Sequence, residues 1–248
     1  MNDKFRKMSA VIPALIFWQI AAMYLDSSIL LVSPWDTAIR LGTIWKEPGF
    51  LQAVFFTLGH IAAGFGCGWL IGCMAAVLAY RSQWIEYLLW PWMAAVKSVP
   101  AASFIVICLI WLSPVKLSGF ISFLMVLPFV YTNLLTGIRG QSREMEEMAV
   151  IFRISPVRRL WYLIMPQMKP YILSALKVTC GLAWKAGLAA EIIGTPGGSM
   201  GQKMYLAKMY LDTDDLLAWT IVIVVLSVCS EKLLLFAAGF LPGMEERE

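Results

Sequence analysis

The chain has 248 residues, 60% of them hydrophobic and only 15% charged, with a mean hydropathy of +0.73. Soluble domains run near about 45–50% apolar and about 25% charged, so a soluble globule and a disordered chain are both excluded. The net charge of +4 is too small for a nucleic-acid footprint, and the class that remains is a multi-spanning membrane protein.

A spanning helix needs roughly 20 mostly apolar residues. Such windows fall at about 9–31, 53–79, 88–112, 118–138, 171–193 and 217–240, which predicts an all-α membrane protein of about six transmembrane helices in a single domain, 1–248. The basic start, Met1-Asn2-Asp3-Lys4-Phe5-Arg6-Lys7, precedes a window too long for a cleaved signal peptide, so the first span reads as a retained signal anchor. On the following stretch, 33–50, Ser33-Pro34 pairs a cap with proline at the first helical position, and Trp35 and Trp45 suit the headgroup level. That stretch is expected to be an interfacial helix.

In the second window Gly64, Gly68, Gly72 and Ala76 form a small-residue stripe at i+4 spacing, which lets helices approach closely and is assigned to packing. His60, the single histidine, reads as a hydrogen-bonded packing residue, and with no carboxylate cluster beside it no metal site is expected. Cys67, Cys73, Cys108, Cys180 and Cys229 lie in apolar stretches without a CxxC pair and read as small buried hydrophobes. Pro91 and Pro100 interrupt the third window. Six spans put both termini on one side. With the N-terminus inside, the inner segments hold Lys4, Arg6, Lys7, Arg81, Arg139, Arg143, Arg153, Arg158, Arg159, Lys169 and Arg247, eleven of the 20 basic residues. The positive-inside rule therefore favours N-in and C-in.

The inner loop, about 139–170, is patterned. Met145, Met148, Ala149 and Phe152 recur at i, i+3, i+4, i+7, one apolar helix face, with Ser142 placed as its cap and Glu144, Glu146 and Glu147 near the positive end of the dipole. After a break at Arg153-Ile154, Ser155-Pro156 opens a second helix on which Val157, Leu160, Trp161 and Ile164 repeat the pattern, and Pro166 is expected to stop it. Two short amphipathic helices joined by a bend must bury their apolar faces against the spans, the headgroups or another protein.

Glu147-Met148-Ala149, three residues, Arg153, nine residues and Leu163-Ile164-Met165-Pro166 resemble the EAA loop of ABC importer permeases, whose pattern is Glu-Ala-Ala, three residues, Gly, nine residues, Ile-x-Leu-Pro. Arg153 stands where the family has glycine. If the bend needs positive φ, arginine costs about 1 kcal/mol or more there, and it also offers a cationic contact. Lys97-Ser98-Val99-Pro100 and the span Gly181 to Glu191 are similar to the nitrate/sulfonate/taurine branch of that family, as is the tail from Gly198 through Asp214 into the last span.

The resemblance implies a type I ABC importer permease fold with the coupling loop between helices 4 and 5. It implies that Glu147, Met148, Ala149, Phe152, Arg153, Ser155 and Pro166 engage a cytoplasmic ATPase dimer. It further implies a second permease copy (a homodimer), an extracytoplasmic substrate-binding protein, and the inner membrane of a prokaryote. No ATPase motif is present: the glycines of Gly194-Thr195-Pro196-Gly197-Gly198-Ser199-Met200-Gly201 lack the following Lys-Ser/Thr spacing and read as a turn into a short outer helix. The chain is therefore expected to bind no cofactor, ATP–Mg belonging to the partner.

Charges at membrane depth are functional candidates because they cost several kcal/mol unless paired or hydrated. Lys185 either lines the translocation path and attracts an anion or pairs with a neighbouring helix. Glu191, near the outer end of the same span, reads as structural, hydrogen-bonded across a dimer. Lys97, before Pro100, marks either a gate or a simple kink. The leading function is a permease for a small anion such as a sulfonate or nitrate. The alternatives are the same importer for a vitamin precursor or other small heterocycle, and, disfavoured by the lone histidine and absent GxSxG, an intramembrane hydrolase.

Overall fold

The computed structural model describes residues 3–25 and 31–240. Among them every regular element is helical: α1 Asp3–Leu25, α2 Pro34–Thr43, α3 Phe50–Arg81, α4 Gln83–Ser98, α5 Ala101–Cys108, α6 Pro114–Arg139, α7 Arg143–Ile151, α8 Pro156–Arg159, a π turn Leu160–Ile164, α9 Met165–Gly194, α10 Met200–Met209 and α11 Thr213–Gly239.

The glycine stripe sets the core. A Cβ on Gly64 would lie 2.1 Å from the Gly119 carbonyl oxygen, one on Gly68 2.9 Å from Val126, and one on Gly72 2.9 Å from Val130. Only residues without a side chain permit this approach of α3 to α6. The pairings climb together along both helices, so α3 and α6 run parallel, and the chain must return the length of the bundle between them. It does so through α4 and α5, which meet at 104° where Val99 adopts extended backbone ahead of Pro100. The third window, expected to be interrupted, is a bent pair of helices. Pro91 does not interrupt α4; the break is at Pro100 alone.

α9 runs antiparallel to α6, with Gly137 against Tyr171 at one end and Gly194 against Leu117 at the other. The Ser122 hydroxyl donates to the Ala183 carbonyl at 3.0 Å and Trp69 Nε1 donates to Thr179 Oγ1 at 3.2 Å, tying α6 and α3 to α9. α11 closes on α9, its buried Trp219 stacked on Phe50 with centroids 5.3 Å apart.

Among the described residues four helices are long and apolar enough to cross a bilayer, and the bent pair, taken as one span, makes five. α1 contributes a shorter apolar helix, Ile12–Leu25, and the end of its predicted window, 26–30, lies outside the described residues. The interfacial helix forms as expected: Ser33 Oγ accepts the Asp36 N–H at 3.1 Å, and Trp35 and Trp45 are exposed. Arg40 pins α2 to the start of α11, its Nη2 2.7 Å from Asp215 Oδ1, and also pairs with Glu47. The expectation that all five cysteines are buried needs correcting. Cys108 and Cys180 are, but Cys67 and Cys229 are exposed on outward faces of α3 and α11, where their neighbours would be lipid rather than core.

The largest departure lies at Pro166. The residue does not end a helix; Pro156–Gly194 is one continuous helix of 39 residues, so the fifth predicted span begins inside the predicted loop. The π turn is the reason. Met165 N–H reaches back to the Leu160 carbonyl, an i→i−5 bond, and widening the helix there makes room for a proline that would clash in an α-helix.

Candidate functional site

The elbow between α6 and the 156–194 helix is built from local capping chemistry. Ser142 caps α7, its Oγ accepting the Met145 N–H at 3.3 Å. At the other end the Arg153 N–H donates to the Val150 carbonyl at 3.0 Å and the Ile154 N–H to the Ala149 carbonyl at 2.9 Å, the paired bonds of a Schellman stop. That stop requires left-handed backbone at Arg153, and its φ is +50°. The bend thus has the geometry that favours glycine, in spite of the arginine.

Ala149 is the one buried residue of α7, at 2% exposure. Around it the predicted apolar faces are largely open: Phe152 is 72% exposed, and Met145, Met148, Val157, Leu160 and Trp161 are all exposed. Ile151, 75% exposed, and Tyr162 extend this surface. Between them Phe152, Arg153, Ile154, Ser155, Arg158 and Tyr162 line a groove of about 530 Å³. Glu147 points outward and pairs with Arg143 at 3.3 Å across one helical turn. Ser155 sits at the cap of α8, and Pro166 lies beyond the π turn at the start of α9.

Two contacts that the sequence pattern did not disclose fix α7 to the long helix. Arg159 Nη2 donates to Glu146 Oε1 at 2.5 Å, and Gln167 Oε1 accepts the Ser142 N–H at 2.9 Å. Neither has a local signature, because the partners are 13 and 25 residues apart in the chain.

The charged residues proposed for a pathway fall in different environments. Lys97, in the last turn of α4 before the break, donates from Nζ to Thr132 Oγ1 at 2.5 Å and lies 5.6 Å from the Phe129 ring centroid. Thr132 in turn lines a groove of about 440 Å³ with Asn133 and Thr136 of α6 and Pro170, Tyr171 and Ser174 of α9. Lys185 is exposed on α9 and makes no ion pair among the described residues. Stepping by 3, 4 and 4 or by 7 and 4, Ser174, Gly181 and Lys185 share one helical stripe, so Lys185 stands above the groove on the same side of α9.

Glu191 behaves differently: it is fully buried within the chain. Its Oε2 accepts from Thr57 Oγ1 at 2.7 Å and from the Gly201 N–H at 3.2 Å, while Thr57 Oγ1 accepts the Met200 N–H at 3.0 Å. Its hydrogen-bond partners therefore lie in its own chain, on α3 and the N-terminus of α10, where a carboxylate suits the exposed N–H groups. A Cβ on Gly201 would lie 2.3 Å from that of Glu191, so the junction is closed to any larger residue. His60 Nδ1 lies 2.8 Å from its own i−4 carbonyl, Phe56 O, as a packing histidine does. No group of three potential metal ligands occurs among the described residues.

With this geometry in view, comparison with known proteins is informative. Residues 68–240 match the family model described as binding-protein-dependent transport system inner membrane component. The taurine transport system permease protein of Escherichia coli is 25% identical over 222 residues, 87% of this chain and 80% of its own length. A putative aliphatic sulfonates transport permease protein of Bacillus subtilis is 25% identical over 232 residues, covering 90% and 82%. A bicarbonate transport system permease protein of Synechocystis is 21% identical over 202 residues, covering 77% and 72%. The chain belongs to the family of binding-protein-dependent transport system inner-membrane components: it is the membrane permease subunit of an ABC importer, and ATP hydrolysis resides in a separate subunit.

Proposed function

We propose that this permease imports a small anion, that its elbow is an EAA-type coupling element for the partner ATPase, and that it works as a homodimer with both termini in the cytoplasm. Membership of the family implies an ATPase and a substrate-binding protein as partners. The observation that carries the coupling role is the open apolar surface at the elbow. Phe152, Ile151, Val157 and Tyr162 stand exposed around a stiff, doubly tied bend, next to the guanidinium groups of Arg153 and Arg158. A surface of this kind in a protein whose other apolar faces meet lipid is suited to a partner protein. Glu147, Met148, Phe152, Arg153 and Ser155 supply the contact, Ala149 seats α7 beneath it, and Pro166 marks where the elbow enters the membrane helix.

The anion preference rests on cations without acidic partners and on the sulfonate, taurine and bicarbonate transport named for the relatives. Lys97 beside the Thr132–Ser174 groove and Lys185 above it on α9 line the path. Glu191 holds the outer end of α9 rather than contacting solute.

The decisive test is the pair Glu147→Lys with Ala149→Glu, made in the permease assembled with its own ATPase. Reversing the exposed charge and forcing a carboxylate into the buried seat is expected to abolish solute uptake while ATP hydrolysis by the ATPase continues. Uptake at the unmodified rate in this double variant overturns the coupling role.

A further inference from the structure

The cap of α7 lacks a component that such caps commonly supply themselves. In a capping box the third helical residue is Glu or Gln and reaches back to the N–H of the cap residue. Here the third helical residue is Met145, which has no acceptor of that strength. The Ser142 N–H is instead taken by Gln167 Oε1 at 2.9 Å, from the far side of the bend. The same amide donates through Nε2 to the Leu163 carbonyl at 3.0 Å, inside the π turn, and touches Met145 Sδ at 3.6 Å.

The position of the two ties along the long helix matters. Arg159, bonded to Glu146, is the last residue before the π turn Leu160–Ile164; Gln167 lies just after it. The π turn is the weakest stretch of this helix, because its bonds run i→i−5 and Pro166 contributes no N–H. α7 therefore lies alongside the turn and is fastened on either side of it.

We infer that α7 is a splint across the π turn and that Gln167 is the positioning residue that fastens it. Through Gln167 and Arg159, α7 and α9 move as one body, so that displacement of the elbow reaches the membrane helix without being absorbed by bending at 160–164. The transmission of a push from the ATPase rests on the function proposed above; the splint itself does not.

The test uses the full-length chain in lipid nanodiscs, with spin labels at Val150→Cys on α7 and Val178→Cys on α9 in a background lacking the native cysteines, diluted in an excess of unlabelled chain so that only distances within one chain are read. In the nucleotide-free chain alone the label-to-label distance is expected to be single and narrow. Gln167→Leu, which removes both hydrogen bonds, is expected to broaden it and add a second component, and Glu146→Ala, which removes the acceptor of the other tie, to do the same. Gln167→Glu keeps the acceptor for Ser142 and is expected to retain the narrow distance. With the cognate ATPase bound, trapping with ATP and vanadate is expected to leave the wild-type distance unchanged. A distance as narrow in Gln167→Leu and Glu146→Ala as in wild type overturns the splint, as does a wild-type distance that shifts on trapping. A chain that binds no ATPase refutes the proposed function, and the nucleotide-free comparison still decides the splint.

Discussion

Arg153 holds the left-handed backbone of the Schellman stop at a φ of +50°. For a residue bearing a Cβ that conformation costs about 1–2 kcal/mol, and glycine removes the penalty. Glycine in turn loses about 0.5–1 kcal/mol more than other residues through the freedom of the unfolded chain. The difference leaves Arg153→Gly ahead by about 0.5–1 kcal/mol, which corresponds to slowing of local opening by about two- to fivefold. Hydrogen exchange of the Arg153 and Ile154 amides, whose bonds to Val150 and Ala149 close the stop, reads that opening directly. Arg153→Ala is the control: it keeps the Cβ strain and removes the guanidinium, so exchange is expected to stay at the wild-type rate. If the glycine variant exchanges at the wild-type rate or faster, the strain argument is wrong. A gain in protection together with weaker ATPase binding in both variants would show that the arginine is retained for its charge at the expense of the bend.

Two further predictions concern the bundle. Gly64→Ala places a Cβ 2.1 Å from the Gly119 carbonyl oxygen and must push α3 from α6, lowering stability by about 1–3 kcal/mol or more, read as a fall in melting temperature in detergent. Gly59→Ala, inside the same helix where nothing lies within 4 Å, is expected to raise the melting temperature slightly, by about 0.5–1 kcal/mol of stability. Thr57→Val removes a donor from Glu191 and the acceptor of the Met200 N–H, leaving buried groups unsatisfied at about 1–3 kcal/mol, whereas Thr57→Ser retains both bonds. Equal melting temperatures for the Val and Ser variants would contradict that account.

The features legible in the sequence were those written in one-dimensional periods. Apolar windows marked the membrane helices, the i+4 glycines marked a close-packing face without naming its partner, and Ser33-Pro34, Ser142 and Ser155-Pro156 marked the helix starts. The elbow was legible because both its stop and its start are local. What escaped depended on partners distant in the chain or on a helix type that periodicity does not encode. Pro166 reads as a stop because proline removes a helix N–H and crowds the preceding turn; nothing in the residues around it signals that the helix widens into a π turn first. Glu191 reads as a structural residue near the end of its span, but its partners Thr57 and Gly201 lie 134 and 10 residues away, so its burial within one chain could not be read from its own helix. Gln167 is equally silent, because its acceptor role is created by Met145 standing where a capping glutamate would otherwise be.

The anchoring of the long helix also decides where elbow motion is felt. The end of α9 far from the elbow is held by buried hydrogen bonds at Glu191, Thr57 and Gly201 and by the Ser122–Ala183 bond, whereas near the elbow it meets α6 through side-chain packing of Tyr171 on Gly137, and the elbow beyond is open to a partner. A rod held at one end turns about that end. At 1.5 Å per residue, Pro156 is about 52 Å from Glu191, Ser174 about 26 Å and Lys185 about 9 Å. A displacement at the elbow is thus halved at the Ser174 groove and reduced to about one-sixth at Lys185. The changing constriction is therefore expected beside Lys97, Thr132 and Ser174, while Lys185 stays nearly fixed as a constant cation above it. Cysteines introduced singly at Ser174 and Lys185 test this by their reaction rate with a charged thiol reagent, with and without ATP and vanadate on the assembled complex. The Ser174 site is expected to change its rate and the Lys185 site to hold it; the reverse pattern would mean that the pivot lies at the elbow end and that Glu191 is not the anchor.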